Sequence, residues 1–327
     1  TSIWTETPVP SVEPVETGAC VPLMIPFSFL PDGYHFAGRT ANGVAIYNLQ
    51  TFRPDVILEA PGIVLQAAIS PDGQLLAWAL DDNTIQLIHL PDQQVVGSLE
   101  GHTGMITALK FSADGEKLYS ASHDTWVRIW GQDGSLLDSF QPSGADNLPS
   151  EVLGIGISLD GKVLASIPFV GGMKTWNLET HQPIAEYAGS IDGGYDGSDA
   201  AFSPDGQYLA QHLGAGGGYL SLWKLPENIL LFRSENISGG VAFSPDNRWL
   251  AFSEMIPEGS DHVSIRSVDG KDLVRVLEVP GETVRLGGLV FSPDSSLLVS
   301  VDWMSGRPIA WKAMDGKLVP LPDVDCP

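Results

Sequence analysis

Phe202-Ser-Pro-Asp-Gly206 is the clearest copy of a five-residue motif that decides the fold of this chain. An apolar residue followed by Ser-Pro-Asp-Gly, or a close variant, occurs seven times, with its aspartates at positions 32, 72, 114, 160, 205, 246 and 294. The proline sets φ for the first corner of a turn, the aspartate accepts a hydrogen bond from the backbone beyond it, and the glycine tolerates a left-handed conformation. Each copy therefore predicts a hairpin turn, and we interpret the aspartates as turn residues rather than catalytic or metal-binding ones.

The spacing of the motif predicts the architecture. Successive aspartates lie 40, 42, 46, 45, 41 and 48 residues apart. Each motif joins a predicted inner strand, such as Met105–Phe111, to a second apolar strand, and a third and a weaker outer strand follow before the next motif. Repeats of this length with four short strands are typical of a ring of blades. We predict an all-β, seven-bladed β-propeller with four antiparallel strands per blade over residues 20–327, preceded by an extended Thr/Pro/Glu-rich tether over residues 1–19, with Leu318–Leu321 as the last outer strand.

Charge and hydropathy narrow the classes of partner. The chain has 17 Lys and Arg against 40 Asp and Glu, a formal net charge of −23. Such a surface repels phosphate backbones and anionic lipids, so we expect no nucleic-acid partner. No stretch reaches the roughly 18–20 apolar residues that span a bilayer, so we expect no membrane-embedded segment. We predict a monomer that binds a protein or peptide.

The two cysteines bear on the compartment. Cys20 lies just before the first repeat and Cys326 lies next to the last residue. Because a ring fold brings its two ends together, we interpret the pair as a disulfide that closes the ring, with two unrelated free thiols as the alternative. A disulfide indicates an oxidising compartment. With the tether, it predicts an extracytoplasmic protein, secreted or attached to the cell surface.

The third repeat carries a family resemblance. Gly101-His102 precedes its inner strand, and Ser122-His-Asp-Thr-Trp-Val-Arg-Ile-Trp130 forms its second half. These residues resemble the WD-repeat family, and the Phe-Ser-Pro-Asp motif also resembles TolB-like propellers. In the WD-repeat family a His, a Ser or Thr, an Asp and a Trp form a buried hydrogen-bond network in one blade. The resemblance implies this role for His102, Ser120 or Ser122, Asp124 and Trp130, although Trp130 is followed by Gly rather than by the family's Asp.

Signatures of catalysis are absent from the sequence. It has no Gly-x-Ser-x-Gly nucleophile elbow, no phosphate-binding loop and no His-Glu-x-x-His motif. One glycine-rich loop holds Asp192, Asp196 and Asp199, whose carboxylates are the hard ligands that calcium prefers. We therefore consider calcium a candidate ligand of this loop, with a solvated acidic loop that binds no metal as the alternative, and we predict no other cofactor.

The longest loops all fall on one face of the predicted ring, in blades four to seven. Binding residues tend to lie on loops that a rigid scaffold holds. Aromatic and methionine side chains are common interface anchors. The sequence places on this face Met105, His123, Trp126, Tyr195, Trp303 and Met304.

We predict a non-enzymatic exported scaffold that binds a protein or peptide on this loop-rich face. The alternatives are an extracellular ligand-sensing domain of a larger receptor or kinase, and a propeller hydrolase with a metal at the channel mouth.

Overall fold

The computed structural model describes residues 22–144, 148–192, 198–213, 218–256, 259–279 and 282–320, and for 188–192 the backbone alone. Within these ranges the chain forms 26 strands and no helix. Every strand pairs antiparallel with its neighbour in sequence within a sheet. Residues 1–21 and 321–327, with the predicted tether, Cys20 and Cys326, lie outside the described residues.

Four sheets have four strands each, numbered from the centre of the ring outward. The first contains β1 (Ile25–Phe29), β2 (His35–Arg39), β3 (Gly43–Asn48) and β4 (Arg53–Glu59). The second contains β5 (Val64–Ile69), β6 (Leu75–Leu80), β7 (Ile85–His89) and β8 (Gln94–Leu99). The third contains β9 (Ile106–Phe111), β10 (Lys117–Ser122), β11 (Val127–Gly131) and β12 (Leu136–Phe140). The fourth contains β13 (Val152–Ile157), β14 (Val163–Pro168), β15 (Val170–Asn177) and β16 (Pro183–Asp192).

Two further sheets complete the described chain. The larger has seven strands, β17 (Asp199–Phe202), β18 (Tyr208–Leu213), β19 (Gly218–Lys224), β20 (Ile229–Phe243), β21 (Trp249–Met255), β22 (Asp261–Ser267) and β23 (Leu273–Leu277). The last has three strands, β24 (Leu286–Phe291), β25 (Leu297–Asp302) and β26 (Arg307–Lys312).

The Ser-Pro-Asp motifs form the turns that the sequence predicts. In the second sheet Ser70 Oγ donates to Asp72 Oδ1 at 2.6 Å and accepts the Leu75 N–H at 2.8 Å. Hydrogen bonds to the ionised carboxylate, that from Ser70 first, lower the pKa of Asp72. The Ser–Asp bond recurs at 2.5–2.7 Å at Ser112–Asp114, Ser158–Asp160, Ser203–Asp205, Ser244–Asp246 and Ser292–Asp294. The interpretation of these aspartates as turn residues is confirmed.

Apolar side chains between neighbouring sheets form the core, and the ring is closed. Phe36 and Tyr47 of the first sheet pack in one buried cluster with Val299 and Val301 of the last sheet. The Leu23 N–H also donates to Gly306 O at 3.0 Å, which connects the segment before the first strand to the last hairpin. The chain is therefore an all-β β-propeller built from antiparallel blades of four strands.

The sheets differ from the seven separate blades that the sequence predicts. β20 pairs with β19 as far as Ile237 and then with β21 as far as Phe243, so two expected blades share one continuous strand. The reason is local, since Ser238-Gly-Gly240 continues the extended chain where the other repeats turn. In the last sheet Leu318 forms a single bridge with Trp311 instead of a fourth strand.

Candidate interaction surface at the channel mouth

The inner strands surround a central cavity of about 1230 Å³. β1, β5, β9, β13, β17, β20 and β24 all contribute lining residues. Their small residues permit this convergence: a Cβ on Gly156 would lie 2.6 Å from Ala200 O, and one on Gly240 would lie 2.8 Å from Leu289 N. The cavity is thus the space left by backbones that approach more closely than side chains would allow.

We call the end of the cavity that carries residues 102–105, 123–126 and 302–306 the loop face. We call the other end, which carries the seven turns of the Ser-Pro-Asp-Gly motif and its variants, the turn face. On the loop face the His123 N–H donates to Met105 O at 3.0 Å, and the Trp303 N–H donates to Arg285 O at 2.9 Å. These bonds link the loops that precede inner strands to the hairpins between second and third strands.

Exposed apolar side chains mark one sector of the loop face. Trp303 is 56% exposed, Met304 is 71% exposed and Met24 is 49% exposed. Their hairpin is nonetheless anchored, because Asp302 accepts the Arg285 N–H at 3.1 Å and the Ser305 hydroxyl at 2.6 Å. Large apolar groups held in water by a fixed backbone are typical of interaction sites.

The structure places two of the predicted binding residues in the lining of one cavity. Met105 and Trp303 both line the cavity. His123 and Trp126 are half-buried beside it, and the Arg128 guanidinium lies 5.7 Å from the centre of the Trp126 ring. Tyr195 lies outside the described residues. The partner-binding role of these residues stays a prediction.

A hydrogen-bond network holds the loop that carries Met105. Ser120 Oγ lies 2.7 Å from His102 Nε2 and accepts the Trp130 indole N–H at 2.8 Å. His102 Nδ1 lies 2.9 Å from Asp124 Oδ2. Ser120, rather than Ser122, therefore lies between the imidazole and the indole, while Ser122 Oγ donates to Gly104 O at 2.9 Å and accepts the Asp124 N–H at 3.0 Å.

The charge of Asp124 is part of this network. Burial alone would raise the pKa of its carboxyl, but hydrogen bonds from His102 and the Thr103 N–H lower the pKa well below its usual range. Arg128 Nη1 also donates to Asp124 Oδ2 at 2.9 Å. The carboxylate stays ionised and is paired, which fits a structural role in the loop.

Two cations in the cavity were not predicted from the sequence. Arg39 donates to the carbonyl oxygens of Val64 and Leu65, and burial lowers its pKa. Lys110 Nζ lies 2.7 Å from Asp199 Oδ2, an ion pair between β9 and β17 that reaches past β13. Arg39 at the end of β2 and Lys110 in β9 both line the cavity. The chain has only 17 Lys and Arg, so a cation within a predicted strand near the ring centre was the signal that could have identified them.

Of the three aspartates in the candidate calcium site, the structure describes the side chain of one. Asp199 is the partner of Lys110. The side chains of Asp192 and Asp196 lie outside the described residues. In the part of the chain that the structure describes, no group of three or more His, Cys, Asp or Glu residues could hold a metal ion.

Comparison with known proteins supports the family resemblance. Residues 93–131 match the model of the WD domain, G-beta repeat, a segment that runs from β8 to β11. The uncharacterized WD repeat-containing protein sll1491 of Synechocystis is 30% identical over 190 residues, 56% of this chain and 49% of that protein. The COMPASS component SWD3 of Saccharomyces cerevisiae is 27% identical over 154 residues, 46% of this chain and 47% of that protein. U3 small nucleolar RNA-associated protein 21 of the same yeast is 34% identical over 125 residues, 35% of this chain and 13% of that protein.

The resemblance to the WD-repeat family is therefore confirmed. This chain spans less than half the length of each of these three relatives.

The comparison corrects the predicted compartment. The extracytoplasmic setting is wrong, because relatives such as U3 small nucleolar RNA-associated protein 21 point to an intracellular one. The error came from two cysteines and a Pro-rich segment, neither of which specifies a compartment by itself. Among the described residues, no helix has the length and apolar character needed to cross a membrane.

Proposed function

We propose that this relative of the WD-repeat proteins is a non-enzymatic scaffold that holds a protein or peptide partner on its loop face. The names of its relatives support this proposal: one is a component of COMPASS and another is associated with a small nucleolar RNA, so both belong to assemblies. Fold alone does not supply function, so the proposal depends on the surface itself.

The observation that carries the proposal is the exposed Trp303 and Met304 at the cavity mouth. Burying a large aromatic or methionine side chain contributes about 1.5–3 kcal/mol, and tryptophan is among the residues most enriched at binding hot spots. Asp302 fixes the backbone of this hairpin, so the partner would meet a pre-organised anchor. We assign Met24, Met105 and Trp303 to the contact surface, since all three line the cavity.

We also propose that the ring has seven blades. β20 has one half paired with β19 and the other with β21, which is the arrangement expected where an outer strand runs directly into the next inner strand. Seven inner segments line the cavity: β1, β5, β9, β13, β17, the second half of β20, and β24. The bridge between Leu318 and Trp311 would begin the outer strand of the seventh blade.

The experiment that tests the scaffold proposal is quantitative co-purification from the source cells with three baits. The baits are the wild type, Trp303→Ala and Val96→Ala. Val96 is a matched control, because it is 50% exposed on the outer strand β8, far from the cavity mouth. We expect the Trp303→Ala bait to recover at least tenfold less of the specific partner than the wild type, and the Val96→Ala bait to recover as much as the wild type. Equal recovery with wild type and Trp303→Ala would reject the loop face as the binding surface.

A further inference from the structure

A second apolar basin lies at the opposite, turn-face end of the ring. It has a volume of about 540 Å³ and is lined by the last residue of inner strands and by turn prolines. The residues that form its apolar floor are Phe202, Phe243, Phe291, Pro204, Pro245 and Pro293. Phe202 and Phe243 are only partly buried, so ring surface is open to the basin. We call this the turn-face basin.

Carboxylates surround the turn-face basin. The residue after each lining proline is an aspartate, which places Asp205, Asp246 and Asp294 one residue from the basin's lining; we call these three aspartates its rim. The remaining turn aspartates follow the other inner strands of the ring. Arg248 lies 3.9 Å from Asp246 and Lys162 lies 3.8 Å from Asp160, but among the described residues neither Asp205 nor Asp294 has a lysine or arginine within 4 Å. Burial alone would raise the pKa of Asp205, but hydrogen bonds from Ser203 and the Gln207 N–H lower it. The hydrogen bond from Ser292 lowers the pKa of Asp294. The rim is therefore an anionic collar around an apolar floor.

The turns are also rigid, which is the second property that a docking site needs. Asn247 Nδ2 donates to Asp205 Oδ2 at 2.6 Å, and the Asp246 N–H donates to Ser295 Oγ at 3.0 Å. These bonds join one turn to the next around the ring. The geometry of the collar is thus fixed before any ligand arrives, so binding would order few protein groups.

We propose that the turn-face basin binds a basic peptide segment in which an apolar side chain is flanked by lysine or arginine. The apolar side chain would pack on the phenylalanine and proline floor, and the flanking cations would lie over the aspartate rim, where aliphatic stems can cover apolar surface and charged ends can stay in water. Charge complementarity selects this occupant, because a net charge of −23 disfavours acidic segments. This site is separate from the loop face and does not depend on the scaffold proposal.

The probe is a fluorescein-labelled Lys-Lys-Leu-Leu-Lys-Lys peptide, with Lys-Lys-Ser-Ser-Lys-Lys as its control, in fluorescence anisotropy titrations of the full chain. Leu159 replaces the proline in the turn next to that of Pro204, is 61% exposed and lines the end of the central cavity. Leu159→Lys and Leu159→Glu should therefore both fold. We expect Leu159→Lys to weaken binding about two- to fivefold and Leu159→Glu to strengthen it by a similar factor, as rim charges do.

A charge control separates the site from general attraction to an acidic protein. Leu137→Lys adds the same charge on the outer strand β12, where Leu137 is 53% exposed. We expect it to leave the dissociation constant unchanged, and we expect Trp303→Ala to do the same. The proposal is overturned if Leu137→Lys weakens binding as much as Leu159→Lys, if the serine peptide binds as tightly as the leucine peptide, or if the wild type binds neither.

Discussion

At the scale of single residues, the hydroxyl of Ser120 in β10 joins a side chain of β11 to a side chain of the loop before β9. It lies between the Trp130 indole and the His102 imidazole, and it is fully buried. The indole–serine bond recurs at Trp176 and Ser166 with a distance of 2.8 Å, and the pair is again ten positions apart in the chain. The family resemblance predicted a hydrogen bond from Trp130 to a serine but left Ser120 and Ser122 as alternatives. The second pair was missed because its blade lacks the Gly-His dipeptide, although the ten-residue spacing was visible.

We expect Ser120→Ala to lower the free energy of unfolding by about 2 kcal/mol, because it leaves a buried indole N–H and an imidazole nitrogen without their shared partner. Urea denaturation followed by tryptophan fluorescence measures the change. Thr103→Ala serves as the control, since Thr103 is exposed, and we expect it to change stability by less than about 0.5 kcal/mol. A loss at Ser120 no larger than that at Thr103 would show that the network contributes nothing to stability.

At the scale of strands, the repeat predicted the turns well and their exceptions poorly. Six Ser–Asp bonds fall where the motif places them, because the serine and the aspartate that form each bond are only two positions apart. The continuity of β20 was not predicted, since the repeat pattern predicts a separate outer strand and inner strand where one strand runs from Ile229 to Phe243. The packing of inner strands against one another depends on contacts between the backbones of adjacent sheets. In the sequence, the small residues of these strands are the only sign of such long-range contacts.

We expect Gly156→Ala to destabilise the protein by about 1–3 kcal/mol, as overpacking in a tight core does. A Cβ at this position in β13 would lie 2.6 Å from the backbone oxygen of Ala200, which cannot move without shifting β17. Gly97→Ala in β8 is the matched control, because its Cβ would meet only the Leu87 side chain at 3.7 Å. Differential scanning calorimetry compares the two. Equal melting temperatures for Gly156→Ala and Gly97→Ala would show that the close approach of the inner strands does not require glycine at position 156.

At the scale of the whole molecule, a rigid ring presents two different ends. The loop face carries exposed Trp303 and Met304, while the turn face carries an apolar basin inside a collar of aspartates. The sequence predicted the ring and placed Trp303 on the loop-rich face, whose binding role stays a prediction. It did not predict Met24 as a neighbour of Trp303, because ring closure brings together residues almost 280 positions apart in the chain. Compartment was predicted wrongly, since no local feature of the fold depends on it.

The most direct test of the loop-face proposal is hydrogen–deuterium exchange of the protein alone and with the partner recovered by co-purification. The account predicts that slowed exchange is concentrated in residues 22–25, 102–106 and 302–306, which meet at the cavity mouth. Exchange in the outer strands β8 and β12 should be unchanged. Protection confined to those outer strands, with none at residues 302–306, would contradict the account.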